Sequence, residues 1–329
     1  MSNSASAKRA PRANPDAAFW HEPVLRDEVV ALLQPAPGRV FLDGTLGGGG
    51  HTGALLAAGA KVVALDRDRE SLAHASERLA SFGDRFVPVQ GNFADAPEIP
   101  AVLAAAPFDG ALLDLGVSSH QLDTPDRGFS FRHDGPLDMR MDPSTGEPAA
   151  MLVNSADEAE LTRLFRECGE EPQARRVARA IVAERERLPF TRTGQLAALI
   201  EKVLGRRGRV HPATRVFQAL RIAVNDELGS LRRALVAIPP LLKAGARFVI
   251  ITFHSLEDRA VKTIVRAGSE RWLDRPEWPA PRPNPEWRFR DLTRKPLAAE
   301  AEEINRNPRA RSARLRAVEI LPLAREVAA

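Results

Sequence analysis

Val40-Phe41-Leu42-Asp43-Gly44-Thr45-Leu46-Gly47-Gly48-Gly49-Gly50-His51 is an apolar run that ends in an acid, followed by a segment in which five of seven residues are glycine. An alanine-rich stretch of helical composition, residues 52–59, comes next. Strand, tight glycine turn and helix in that order form the opening unit of a nucleotide-binding α/β sheet. Glycine lets the chain turn sharply and lets a ligand approach the main chain without meeting a Cβ. A linker of similar composition would not be clamped between a strand pattern and a helix pattern.

Downstream, the same rhythm repeats. Residues 61–65 form a second apolar run closing on Asp66-Arg67-Asp68, residues 85–90 a third ending at Gly91-Asn92-Phe93, and residues 108–114 a fourth ending on Asp114. Helical patterns cover residues 70–79 and 101–106 between them, and a short amphipathic helix with Leu25, Val29, Leu32 and Leu33 on one side precedes the first strand. Strand–helix units spaced by about 20–25 residues predict an α/β fold, a doubly wound and mostly parallel sheet with right-handed crossovers.

The rhythm breaks after Asp114. Residues 116–146 are rich in Gly, Asp, Pro, Ser and Arg, and residues 156–169, 172–187, 193–204 and 212–224 are helical patterns with no strand between them. A long helix over residues 226–242 and an apolar strand over residues 247–253 then resume the alternation. The sequence therefore predicts an inserted all-helical domain, residues 126–225, in a discontinuous sheet domain formed by residues 19–125 and 226–329. Residues 1–18, polar and rich in Ala and Pro, are expected to be a disordered tail.

Composition narrows the function classes. No apolar run approaches the roughly 20 residues of a membrane helix, and the single Cys168 rules out an internal disulfide framework and fits a reducing cytoplasm. Cys168 itself, with no Cys/His signature around it, reads as a packed helix residue. The net charge is only +4, but between Arg175 and Arg221 twelve basic side chains stand against three acidic ones, a local net of +9. A field of that kind favours a polyanionic partner. Paired helix-surface charges explain residues 184–187; they do not explain Gly205-Arg206-Arg207-Gly208-Arg209, which has no acid within it.

In open α/β sheets ligands sit beyond the carboxyl ends of the strands, here Asp43 with the glycine loop, Asp66, Phe93 and Asp114. Asp66 is suited to take both ribose hydroxyls of an adenosine, and Phe93 to lie against its adenine; taken singly, a helix-capping aspartate and a core phenylalanine explain them as well. An acid at the end of the first strand repels a pyrophosphate and suits the ammonium and sulfonium of S-adenosylmethionine. The alternatives are a nicotinamide dehydrogenase on the same sheet, which needs a phosphate-cradling glycine spacing, and a non-catalytic RNA-binding module, which has no use for four ligand-lined strand ends.

The longer motifs are more specific. Asp43-Gly44-Thr45…Gly49-Gly50-His51, Leu65-Asp66-Arg67-Asp68, Leu112-Leu113-Asp114-Leu115-Gly116-Val117-Ser118-Ser119…Gln121-Leu122-Asp123, Arg127-Gly128-Phe129-Ser130-Phe131, Gly135-Pro136-Leu137-Asp138-Met139-Arg140-Met141, His211-Pro212-Ala213-Thr214-Arg215, Phe253-His254-Ser255-Leu256-Glu257-Asp258-Arg259 and Asn307-Pro308-Arg309-Ala310-Arg311-Ser312 together closely resemble the ribosomal RNA small-subunit methyltransferase H family, over about residues 21–316. The resemblance implies a Rossmann-like class I methyltransferase that methylates the exocyclic N4 of a cytidine near the P site of 16S ribosomal RNA. It implies S-adenosylmethionine as donor, action in the bacterial cytoplasm, and donor-binding positions at Gly49, Gly50, His51, Asp66, Phe93, Asp114 and Gln121. The Trp- and Pro-rich residues 269–306 match no family motif.

Methyl transfer to an amide-like amine calls for a proton acceptor beside it. Asp114 or a carbonyl of residues 115–119 is the expected acceptor, with Ser118 or Ser119 orienting the amine; a role for Asp114 in holding the donor alone is an equally good reading. His254 is a candidate acceptor too, although a hydrogen-bonded structural role is slightly preferred. No metal-ligand spacing occurs, so no metal is expected. Arg206, Arg207, Arg209 and Arg215 are the expected phosphate contacts, with Phe129 or Phe131 as a platform for the splayed cytosine. Small-subunit ribosomal RNA and the 30S subunit are both candidate partners, and a homodimer is a candidate assembly.

Overall fold

The structure, a computed structural model, describes residues 23–206, 208 and 210–322; the expected N-terminal tail, Arg207 and Arg209 lie outside them. In chain order the elements are α1 (Arg26–Leu33), β1 (Val40–Asp43), α2 (Gly50–Ala57), β2 (Lys61–Asp66), α3 (Arg69–Leu79), β3 (Phe86–Gln90), α4 (Pro100–Ala105), β4 (Phe108–Asp114) and α5 (Ser119–Asp123). The helices α6 (Ala149–Ser155), α7 (Glu158–Glu167), α8 (Ala174–Arg185), α9 (Thr193–Leu204), α10 (Thr214–Asn225) and α11 (Glu227–Ala237) follow. The chain closes with β5 (Leu242–Thr252), α12 (Ser255–Ser269), β6 (Trp272–Leu273), β7 (Arg282–Pro283), β8 (Phe289–Asp291), α13 (Ala301–Arg306) and β9 (Arg314–Ile320).

Seven strands form one sheet in the order β3-β2-β1-β4-β5-β9-β8. β1 to β5 run parallel, and β9 inserts antiparallel between β5 and β8. This is the doubly wound, mostly parallel sheet that the sequence predicts. The strand order reverses at β1 and β4, which are paired with Asp43 beside Leu112, so the crevice at this switch point opens between the ends carrying Asp43 and Asp114.

Both faces of the sheet are covered, and the alternation of side chains shows it. Leu42, Leu65, Leu113, Phe248 and Ile250 pack on one side with Leu231, Leu235 and Val261 of α11 and α12. Their strand neighbours Phe41, Ala64, Leu112, Val249 and Ile251 pack on the other with Val29, Leu55 and Leu79 of α1, α2 and α3. A strand buried on both faces reads as a continuous apolar run, which is why these segments are legible without alternation.

Helices α6 to α10 share a core of their own, in which Leu161, Phe165, Val177, Ile181, Leu196, Ile200, Phe217 and Leu220 meet at helical spacing. Asn225 ties this lobe to the sheet. Its amide donates to the Met139 carbonyl (2.7 Å), its carbonyl accepts from the Met141 N–H (2.8 Å), and its own backbone carbonyl accepts from Arg67 (2.8 Å). At Asp226 the backbone turns left-handed (φ 47°), separating α10 from α11.

The structure corrects two expected elements and adds others. The helix expected over residues 226–242 ends at Ala237, because Pro239 and Pro240 withdraw backbone donors, and β5 starts at Leu242 rather than residue 247. The Trp/Pro-rich stretch holds the β6–β7 pair, β8 and α13. There the guanidinium groups of Arg275 and Arg282 lie 4.9 and 4.8 Å from the ring centre of Trp278.

Candidate active site

The first wall of the site is the glycine loop. Gly49 takes φ +74° at the N-cap of α2, a conformation that side chains with a Cβ rarely adopt. The loop is laced to β4: Gly44 donates to the Leu112 carbonyl (2.9 Å), and the Thr45 hydroxyl accepts from the Asp114 N–H (2.6 Å). A Cβ placed on Gly44 would lie 2.9 Å from that of Phe93, so glycine is what lets the two strand ends close up. Asp43 is buried and accepts from the Thr52 hydroxyl (2.6 Å) and the Thr45 N–H (3.0 Å). Burial pushes its carboxyl up, against those hydrogen bonds and the nearby His51.

Asp66, at the end of β2, accepts from the N–H groups of Gly47 and Asp68, both at 2.8 Å. Burial dominates over these bonds and raises its pKa to about 6. The helix-capping role open to Asp66 in the sequence belongs instead to Asp68, which accepts from the Glu70 N–H (3.0 Å) at the start of α3. Phe93 is half-buried after β3. Gln121 is buried; its amide donates to Asp68 (2.8 Å) and its carbonyl accepts from the Ser118 N–H (3.0 Å).

Gly48, Asp66, Phe93, Asp114, Gln121 and the loop of residues 115–118 line one cleft of about 710 Å³, a size that suits a nucleoside-bearing ligand. A Cβ added at Gly48 would meet nothing within 4 Å, so open space starts directly at the main chain. An exposed backbone cradle, a carboxylate at a strand end and an aromatic ring fit the adenosine donor that the motifs imply. Gly50 and His51 lie on the same cleft, while Gly49 packs its back against Leu79 and Ala75.

The opposite wall comes from the helical lobe and the C-terminal strands. Arg221 forks onto Glu227 through Nε (2.8 Å) and Nη2 (2.9 Å). Burial works to raise the Glu257 carboxyl, but the His254 imidazole, the Phe253 N–H and the Arg221 guanidinium outweigh it and hold it below its usual range. Glu227, His254 and Glu257 are the one group of three potential metal ligands among the described residues. The fork of Arg221 on Glu227 and the Phe253 N–H on Glu257 (2.8 Å) already engage its carboxylates. Asn307, Arg309 and Ser312 reach the cleft from the segment before β9, and Arg309 bonds both oxygens of Asp123 at 2.9 and 3.0 Å.

Several expected site residues fall elsewhere. His254 caps α12: its Nδ1 faces the Glu257 N–H at 3.4 Å and its Nε2 lies 3.2 Å from Glu257, so its imidazole is used structurally. The Ser118 hydroxyl accepts from the Gln121 N–H (3.2 Å) as the cap of α5, although Ser118 does line the cleft. Phe129 is buried in the helical core, and Phe131 packs on Phe217 and His211 with ring centres 4.7 Å apart. Phe129 is closed to a cytosine, whereas Phe131 stays partly exposed. Arg215 is exposed at the start of α10; Arg206 is exposed and lies 3.8 Å from Glu201, an acid outside the glycine-flanked loop. Cys168, half-buried at the end of α7, packs against the helical core as expected.

Arg127 has no role that the sequence alone assigns. It is buried, lies 2.8 Å from Asp68 and 2.9 Å from Glu70, and donates to the carbonyls of Arg140 and Met141. It thereby fastens the lobe to the strand end that carries Asp66. Its place in the Arg127-Gly128-Phe129 motif is the only signal of this.

Comparison with known proteins agrees with this geometry. The sequence matches the MraW methylase family over residues 18–321. It is 53% identical over 306 residues to the ribosomal RNA small subunit methyltransferase H of Anaeromyxobacter sp. strain K, covering 92% of this chain and 98% of that one. It is 50% identical over 309 residues to the protein of the same name from Carboxydothermus hydrogenoformans, covering 93% and 99%. An rRNA methylase structure from Streptococcus thermophilus superposes at a TM-score of 0.40 with 12% identity, over 90% of this chain and 94% of that chain, too distant to bear on function. On this match and these identities, the chain belongs to the MraW methylase family.

Proposed function

We propose that this protein transfers a methyl group from S-adenosylmethionine to the exocyclic N4 of a cytidine in small-subunit ribosomal RNA. The observation that carries the reading is the convergence of Asp66, Phe93 and Asp114, from three successive strand ends, on one cleft with the glycine loop. Relatives at 50–53% identity, named as small-subunit rRNA methyltransferases, support the substrate.

When bound, the donor supplies an electrophilic methyl on a sulfonium. Asp66 takes the ribose hydroxyls and Phe93 lies beside the adenine. The amine of cytosine is a poor nucleophile because its lone pair is delocalised into the ring, so the cleft must hold it in line with the methyl, roughly 3–3.5 Å away. As the N4–carbon bond forms, the carbon–sulfur pair leaves with sulfur and N4 sheds a proton. Asp114 is the proposed acceptor, since it lines the cleft with a partly exposed side chain.

The charge state of Asp66 makes donor binding depend on pH. Ribose hydroxyls donate to the ionised carboxylate, whereas the free protein holds that carboxyl near a pKa of 6. Affinity for S-adenosylhomocysteine should thus be flat above pH 6 and weaken by about tenfold per pH unit below it. Calorimetry between pH 5 and 8 checks this, and a constant affinity across the range would separate Asp66 from the donor.

The basic lobe is the proposed RNA-binding surface. Charge reversal at Arg206, Arg207 and Arg209 together is expected to weaken RNA binding and reduce its salt dependence, by a log–log slope of roughly 0.7 for each phosphate no longer neutralised, while donor binding stays as it was. Unchanged RNA affinity and slope would remove this stretch from the substrate path. The P-site position of the cytidine, the assembled subunit as substrate and the bacterial cytoplasm as location extend the proposal on the motif resemblance. No helix among the described residues is long and apolar enough to cross a membrane.

Titration of the purified protein with S-adenosylhomocysteine and with NADH tests the donor. Heat with the first alone supports methyl transfer; heat with NADH alone supports the dehydrogenase alternative.

A further inference from the structure

We propose that His51 is a positioning residue for methyl transfer: its imidazole fixes the rotation of the Asp114 carboxylate so that Oδ2, the oxygen beside it, is presented to the incoming amine. This rests on the methyl-transfer reading above and adds a role that the motif resemblance, which places His51 among the donor contacts, does not contain.

The geometry separates the main chain of His51 from its ring. His51 is the second residue of α2, so its backbone belongs to the glycine loop that cradles the donor. The side chain is only 6% exposed, and neither ring nitrogen has a hydrogen-bond partner among the described residues. Its Nε2 lies 3.5 Å from Asp114 Oδ2. A buried imidazole with both nitrogens unengaged is costly unless the site uses it.

Of the acids near this ring, Asp43 is already engaged by Thr52 and Thr45. Asp114 has no other side-chain partner among the described residues; its Oδ1 is buried, and the exposure of the side chain falls to Oδ2, the oxygen beside His51. Its backbone, in contrast, is fixed by the Thr45 hydroxyl and by pairing with Ile251 of β5. The remaining freedom of Asp114 is rotation of its carboxylate, and His51 is the group placed to stop it. At 3.5 Å the two atoms are farther apart than in a formed hydrogen bond; pairs of this kind commonly tighten when substrate arrives. An N–H at Nε2 would occupy one lone pair of Oδ2 and leave the other for the proton that N4 releases.

Three measurements test this. His51→Leu, which removes the donor, is expected to lower kcat by about 30-fold, the scale of a misplaced catalytic group, with KM for the RNA and Kd for S-adenosylhomocysteine changed by no more than about threefold. His51→Gln, which retains an N–H of similar reach, should recover most of the loss. In the donor-free protein labelled with 15N-histidine, Asp114→Asn should shift the Nε2 resonance of His51. An unchanged kcat in His51→Leu, a Kd that rises as far as kcat falls, or an unmoved His51 resonance would each overturn the assignment. Failure of the wild-type protein itself to methylate RNA would instead count against the underlying function.

Discussion

Asp114→Asn is expected to lower kcat by roughly 10²–10⁴-fold, the usual contribution of a general base, while Kd for S-adenosylhomocysteine changes by less than about threefold. The substitution keeps the shape of the side chain and the backbone hydrogen bond to Thr45 (2.6 Å). It removes the one capacity that matters here, since neither end of an amide takes a proton at neutral pH. Asp114 sits at the switch point of the sheet, where the proposed function brings donor and target together, so a donor-binding role is the competing explanation. Calorimetry and single-turnover methyl transfer measured on the same preparation separate them. Tight donor binding with lost turnover fits a proton acceptor; full turnover would remove Asp114 from the chemistry, and a parallel loss of both would make it a donor-binding residue.

The second large effect falls on binding. Asp66→Ala is expected to weaken S-adenosylhomocysteine by at least about 100-fold, because two hydrogen bonds to a charged acceptor contribute roughly 1.5–3 kcal/mol each. The change also strips the acceptor from the N–H groups of Gly47 and Asp68, so the glycine loop loses its tether to β2. Turnover at saturating donor should largely survive, since Asp66 does not reach the reacting atoms. Loss confined to kcat, with donor affinity intact, would place the adenosine elsewhere in the cleft.

The parts of this molecule that are legible in sequence are those where one local signal has one physical cause. Strand ends show because an acid or a glycine interrupts an apolar run, as at Asp43, Asp66 and Asp114, and those ends are where a parallel sheet presents its ligand. The helical lobe shows through 3.6-residue periodicity in α7 to α10. Boundaries fail where two signals compete: residues 242–246 of β5 carry Lys243, Gly245 and alternation too weak to read as strand, so the preceding helix reads as running on. The short strands β6 to β8 are hidden among prolines and tryptophans.

Side-chain roles are harder to read because they depend on neighbours far away in the chain. Phe129 and Phe131 sit in a polar loop by sequence, yet the lobe folds over them and buries or packs both. His254 and Ser118 carry reactive groups, but each stands at a helix start, where its side chain serves the orphan N–H groups. The glycine-flanked basic segment holds no acid of its own, and Arg206 approaches Glu201 only because α9 ends beside it. Nothing local announces that Arg127 joins Asp68, Glu70 and two carbonyls of the lobe.

The most direct test of the central claim is methyl transfer itself. Small-subunit ribosomal RNA or 30S subunits from cells lacking this protein, incubated with the purified chain and a deuterated methyl donor, should acquire labelled N4-methylcytidine at a single position when digested and mapped by mass spectrometry. Label on the ring carbon of cytosine, on another base or on no base at all would contradict the account.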